Sequence, residues 1–376
     1  MKMATQAISR SGLVCWLTLV LGVAQLQAAT ISSDLKKTFQ VSAGGTLAME
    51  VDRGSITVAT GDRSDVNIEV KRSLSGVSAS KAEEIFSRHE VTFEQEDNRV
   101  VVKAKYKSAS KGWFGRDENK LQVKYLVSMP KRFTVDLATA GGNISIADMD
   151  GVAKVRTSGG NIDLAEVTGK TDAQTAGGNI KLKSGGEEAT LKTSGGNIQV
   201  GKAGGETKAS TAGGNISVET AEKKLSVKTS GGNINLGTLR AETEAETAGG
   251  GITIQSAEGN VVAKSSGGNI RIAGAHGAVS ASTAAGAVSA AFMEQPTEDC
   301  RLSTSGGDIT VSMPENLAFN LDASTGGGNI RTDIPVSSKV TGEQRSGTLK
   351  GEINGGGKLL VLKTSAGRVT ITKIDK

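Results

Sequence analysis

Apolar positions along this chain recur on two nested periods, one of two residues and one of eighteen. The longer period is anchored by Gly-Gly-Asn-Ile, with its Ile at Ile144, Ile162, Ile180, Ile198, Ile216, Ile234 and Ile270. Ile252 and Val288 fill the same slot behind the degenerate turns Gly-Gly-Gly and Ala-Gly-Ala. Within each period two short runs alternate. One holds the anchor, as in Ile162 and Leu164 or Ile198 and Val200; the other follows nine residues later, as in Ala189 and Leu191 or Leu225 and Val227. Alternation puts these pairs on one face of a strand and Asp163, Lys181, Gln199, Lys192 and Lys228 on the other. Each period therefore predicts two strands folded on one another as one coil.

A lone coil buries about four aliphatic side chains, worth ~1.5–3 kcal/mol each. Ordering its backbone costs ~1–2 kcal/mol per residue. Coils of this kind are stable only collectively, and fixed self-similarity is the mark of such a stack. The predicted fold is all-β: a parallel β-solenoid (a two-sheet β-helix of 18-residue coils) over residues 131–376, behind a small mixed α/β cap over residues 30–130. From Ile144 to Val369 the pattern holds about twelve coils, a rod of ~55–60 Å at the usual strand spacing.

The turns suggest two polar columns. The reversal at Gly-Gly-Asn reads as a positive-φ turn, which Gly adopts freely and Asn tolerates. Stacked in register, Asn143, Asn161, Asn179, Asn197, Asn215, Asn233 and Asn269 form a ladder of amides bonding along the axis. Thr157, Thr175 and Thr193, with Thr139, Thr211, Thr229 and Thr247, sit five before their anchors with inward parity, as internal corner hydroxyls. Large residues (Val155, Leu191, Val227) alternate with Ala173, Ala209 and Ala245, so successive layers interdigitate. Past Val288 the spacing widens to twenty-one, giving Ile309 and Ile330 as the next rungs, with Pro296, Pro314 and Pro335 in loops. The turn at Thr364 to Val369 closes the stack, and Lys373, Asp375 and Lys376 discourage pairing at its edge.

Residues 36–130 read differently. Leu47 to Val51, Ile56 to Val58 and Val66 to Val70 predict strands, and Gly54-Ser55-Ile56 looks like a lone copy of the repeat turn. Ser78 to His89 predicts a capped helix covering the open first coil. Val91 to Phe93 and Val100 to Val102 predict a hairpin around Glu96-Asp97-Asn98. Val127-Ser128-Met129-Pro130 recurs as Val311-Ser312-Met313-Pro314, so the stack is expected to begin near Leu121.

Composition sharpens this picture. Gly numbers 50 and aromatics make up only 3%, which suits a thin aliphatic core and not a broad globular one. Residues 1–29, with Lys2 and Arg10 before an apolar run and Ala28-Ala29 after it, read as a secretory signal. Removing Lys2 and Arg10 from the 44 cations leaves 42 against 39 acids. These charges are interspersed, without the basic stripe and aromatic platform that nucleic acid requires. No second long apolar segment follows, so the mature chain is expected to have no transmembrane segment and to reside in the periplasm or at the cell surface.

Glycine turns, period and signal together resemble the bacterial putative-adhesin family of β-strand-repeat domains of unknown function. The matching residues are Gly44-Gly45-Thr46-Leu47 leading into Gly54-Ser55-Ile56-Thr57-Val58, the Gly-Gly-Asn-Ile turns, and Ile353-Asn354-Gly355-Gly356-Gly357. The resemblance implies an exported β-solenoid with an adhesive or envelope role, and it carries no catalytic residues with it.

Three functional classes remain open from the residues. The first is a non-enzymatic adhesin-like scaffold meeting a protein or polysaccharide of the cell envelope through its surface. The second is a carbohydrate-active β-helix enzyme, and the third a purely structural or regulatory envelope component. The pattern predicts no catalytic, cofactor-binding or metal-binding residue. Outward acids such as Asp163, Glu219, Glu244 and Glu246 scatter over the coils, and a calcium roll would want Asp where Asn stands. His89 and His276 read as surface or cap histidines, and Cys300 as a buried core thiol. Trp113 and Phe114, flanked by cations and glycines, are the candidate contact site.

Overall fold

The computed structural model describes residues 30–107, 120–338 and 347–374, and the expected all-β solenoid is what it contains. The segment read as a secretory signal lies outside the described residues. Strands fall into two sheets of 16, and from Phe133 to Met313 the chain alternates between them, one strand to each. Neighbouring coils pair in parallel, residue for residue. Ile162 lies beside Ile144 and Ile180, and Ile198 beside Ile180 and Ile216. The opposite sheet repeats this with Leu191 between Ala173 and Ala209. All of these side chains are buried in one continuous core. From Leu137 to Ala290 the interleaving of large and small layers fills that core without aromatics, while Tyr125, Phe133, Phe292 and Phe319 are buried toward its ends.

The outward positions between them, Lys181, Gln199 and Lys183 among them, are exposed. The two faces therefore predict opposite responses. Ile198→Asp puts a carboxylate between Ile180 and Ile216 and is expected to cost more than about 4 kcal/mol. Gln199→Asp, one residue on, is expected to stay within about 0.5 kcal/mol. Thermal unfolding followed by circular dichroism separates the two, and equal tolerance would contradict the face assignment.

The ends of the stack depart from chain order. Two strands in each sheet are antiparallel additions at the ends, leaving fourteen coils and a length of about 62 Å at the usual strand spacing. At the N-terminal end, strands Gly45–Val51 and Ser55–Gly61 form a coil lying between two others. One neighbour is the coil of Arg99–Tyr106 and Gln122–Pro130; the other is that of Phe133–Thr139 and Ile144–Ile146. Gly54-Ser55-Ile56 is thus a true rung, with Ile56 beside Ile144.

At the C-terminal end the expected order fails. Ile330 does not stack on Ile309, because strands Lys358–Thr364 and Val369–Lys373 lie between them, with Val369 against both. Identical in-register parallel strands carry no mark of stacking order, so chain order misled. The closing turn is therefore internal and Lys373 does not guard an edge, while Asp375 and Lys376 lie outside the described residues.

Beyond the coils, Thr30–Gln40 pairs antiparallel with Asp65–Ser75, and His89–Glu96 with Arg99–Tyr106, as the hairpin predicted. The helix Ala79–Ser87 is capped by Ser78, whose hydroxyl accepts from Lys81 N–H. It joins the end of one sheet to the end of the other and buries Ala82, Ile85 and Phe86 in the core. Thr348–Ile353 runs antiparallel along Phe319–Thr325 and finishes the other end.

Candidate functional site

The corner columns tie each coil to the next. From Thr157 to Thr247 each column threonine donates to a glycine carbonyl of the preceding coil and accepts a glycine N–H of its own. Thr157 reaches Gly142 O at 2.8 Å, Thr175 reaches Gly160 O at 2.9 Å and Thr193 reaches Gly178 O at 2.8 Å. Gly160, Gly178 and Gly196 N–H return to the same three hydroxyls at 3.3 Å. Removing one hydroxyl leaves a buried C=O and N–H unpaired. Thr193→Val is expected to cost about 2–3 kcal/mol. Thr193→Ser should cost far less, since Ser265 holds this position natively with both bonds intact. Chemical denaturation of the two variants checks the difference.

The asparagines bond differently from the amide-to-amide ladder expected. Asn143 Oδ1 accepts from Asn161 backbone N–H at 2.8 Å, Asn161 from Asn179, Asn179 from Asn197, and so on to Gly251. Asn269 Oδ1 likewise accepts from Ala287 N–H. The backbone donor wins because the turn leaves it otherwise unpaired. Asp308 replaces Asn where a cation follows: Arg368 backbone N–H and guanidinium both bond its carboxylate and hold it below the usual carboxylate range.

The repeat glycines also serve another purpose than expected. Among the described residues positive φ is confined to a few positions, Gly54 being the one in a repeat turn; the others turn with ordinary φ. What the second glycine supplies is room: a Cβ on Gly196 would lie 2.0 Å from Gly178 O.

The faces these corners support are corrugated. On one outer face Lys183, Gly201, Glu219, Gly237 and Gln255 succeed one another, so long side chains flank hollows of about 390 and 370 Å³. On the other sheet, a groove of about 490 Å³ runs between Glu50, Glu90, Thr92, Lys103 and Lys105. All three lie open along the surface. Ion pairs step from coil to coil, Lys154 to Asp136 at 3.1 Å, Arg156 to Asp172 at 3.0 Å and Lys228 to Glu246 at 3.0 Å. Such exposed pairs contribute at most about 1 kcal/mol each.

Asp163 and Glu219 stand on different coils, and Glu244 and Glu246 share a third, on the strand Thr243–Thr247. Among the described residues no group of three His, Cys, Asp or Glu side chains is placed to hold a metal ion. Nor is any helix among them long and apolar enough to cross a membrane. Trp113 and Phe114 lie outside the described residues. Cys300 is fully buried, and burial pushes its thiol up to about 11. His276 pairs with Glu294 at 3.3 Å.

Sequence reasoning missed a buried polar cluster under the helix. His89 is 2% exposed, with Nε2 3.2 Å from the Tyr125 hydroxyl. Arg72, also buried, donates to the carbonyls of Phe86 and His89 and to Ser33 Oγ. Burial, and then the charge of Arg72, push His89 down to about 4. The signal available in sequence was Arg72 at an inward parity within Asp65–Ser75.

These features define an open two-sheet β-solenoid whose chemistry lies on its outer faces. The resemblance read from the turns holds: residues 202–372 match the family described as Toastrack DUF4097. Solved structures that align with this chain include a "putative adhesin" from Bacteroides fragilis NCTC 9343, 11% identical, covering 91% of this chain and 97% of that one, with a TM-score of 0.31. A "putative cell adhesion protein" from Clostridium sporogenes ATCC 15579 is 11% identical over 91% and 100%, with a TM-score of 0.18. A "putative lipid binding protein" from Parabacteroides distasonis ATCC 8503 is 15% identical over 91% and 97%, with a TM-score of 0.26. The comparison with curated proteins returns no match.

Proposed function

We propose that this chain is an exported, non-enzymatic, adhesin-like scaffold that presents its outer sheet faces to a protein or polysaccharide of the cell envelope or surface. The observation that supports this best is the column Asp163, Lys181, Gln199, Ser217, Asn235 and Thr253, which offers a new polar side chain at each strand step on an unchanging backbone. An extended partner meets such a face at many points. A small substrate meets only open hollows, without the converging acid and base or the shielding from water that catalysis asks for.

The test uses the full chain against a panel of envelope polysaccharides and an envelope extract. Binding is expected, and Lys181→Glu with Lys183→Glu should weaken it without lowering the melting temperature. Release of sugar fragments from the panel, or no binding to any component, would overturn the reading.

A further inference from the structure

The two ends of the stack share a construction that ordinary chain-order stacking does not produce. At each end the outermost coil comes from within the chain, and the coil that stands first or last in sequence is threaded beneath it, while the strand Thr30–Gln40 stays at a sheet edge. At the C-terminal end the threaded coil, strands Lys358–Thr364 and Val369–Lys373, holds the coil of Cys300–Thr304 and Ile309–Met313 on one side. On the other it holds the edge coil of Phe319–Thr325 and Ile330–Thr332. The edge coil has no strand-to-strand contact with the coil below except through the threaded one.

We infer that the threaded C-terminal coil is a latch: while it is in place the edge coil is held, and when it leaves, residues 319–332 and 348–373 open as one unit. The contacts on the inner side suit a device that closes firmly. Thr364 Oγ1 donates to Gly307 O at 2.9 Å, and Asp299 Oδ1 accepts from Leu359 N–H at 2.9 Å. Ser312 and Thr372 hydroxyls meet at 2.9 Å, Arg368 pairs with Asp308 at 2.9 Å, and Lys373 pairs with Glu315 at 2.7 Å. On the outer side Thr325 Oγ1 donates to Gly367 O at 2.6 Å.

In a stack laid down in chain order the last segment sits at the edge and frays first, alone. Here the last segment cannot leave without stranding the coil that precedes it in sequence. This end of the stack is thereby kept from opening one coil at a time. The bare edge of Cys300–Thr304 and Ile309–Met313, a template for pairing with another chain, is exposed only when the whole unit lifts.

The inference predicts a reversed hierarchy, readable by hydrogen exchange with mass spectrometry on the full chain. Gly367→Ala aims a Cβ at 1.9 Å from Gly307 O and should expel the latch. Residues 319–332 and 348–373 are then expected to lose protection together, at least about tenfold, while 279–313 keep theirs. Thr364→Val, a milder lesion on the same side, should produce the same paired loss to a smaller degree if the glycine variant fails to fold. Gly328→Ala, whose Cβ would lie 2.2 Å from Gly367 O, injures the edge coil instead and should loosen 319–332 while 358–373 stay protected. Protection of 319–332 surviving loss of the latch, or loss of 358–373 in Gly328→Ala, would overturn the inference.

Discussion

Gly196→Ala is expected to lower stability by more than about 4 kcal/mol, the range reserved for a packing conflict that cannot relax. The added Cβ would stand 2.0 Å from Gly178 O, 2.4 Å from its carbon and 2.7 Å from Asn179 N, all backbone atoms. No side chain can swing aside. The coils must part at that corner, breaking the Asn179 Oδ1 to Asn197 N–H bond and the Thr193 bridge with it. Gly195→Ala is the matched control. There the nearest atoms lie at 3.5 Å and beyond, which is ordinary contact, and a less flexible unfolded chain favours Ala by about 0.4–1 kcal/mol. The chain has made this second change itself: Ala285 and Ala366 occupy the first glycine slot, ahead of Gly286 and Gly367. Urea unfolding of the two variants checks the contrast, and similar midpoints would refute the close-approach explanation.

Mild acid should weaken the protein through one buried side chain. His89, held down to about 4 by burial and by Arg72, with Arg53 adding to this and Asp52 opposing it, stays neutral in the fold. In the unfolded chain its pKa returns to the ordinary imidazole value of 6.5. Stability from this group is therefore complete above pH 6.5. It declines as pH falls toward 4, because the unfolded chain takes up a proton that the folded one declines. The full loss is about 3 kcal/mol. His89→Gln keeps an acceptor for the Tyr125 hydroxyl and cannot titrate. Unfolding free energies measured at pH 7.5, 5.5 and 4.5 should fall for the parent and stay nearly level for the variant over that window. Parallel slopes would show that His89 is not the responsible group.

The stack itself was legible because its physics repeats: Ile198 is buried for the same reason as Ile180 and Ile216, so one period states the rule for all. The inward threonines were legible from parity alone. The stacking order at the ends was not, since Val369 and Ile330 are equally good rungs and only the path of the chain decides which meets Ile309. The lone copy at Gly54-Ser55-Ile56, so far upstream of Ile144, was the one hint of threading. The glycine requirement was misassigned because an absent Cβ and a positive φ leave the same letter in the sequence. His89 and Arg72 were passed over because burial of a polar side chain depends on partners from Ser33, Phe86 and Tyr125, distant along the chain.

The most direct measurement of the central claim, a single column of rungs at a constant interval, is a pair of spin-label distances on one outer face. In the chain without residues 1–29 the one cysteine is Cys300, which is buried and inaccessible to label. Labels at Ser145 and Ser217 are four coils apart and should lie at about 19 Å, and labels at Ser145 and Arg271, seven coils apart, at about 34 Å. Two narrow distributions in that ratio are the predicted result. Broad distributions, or a second distance no longer than the first, would contradict the stack.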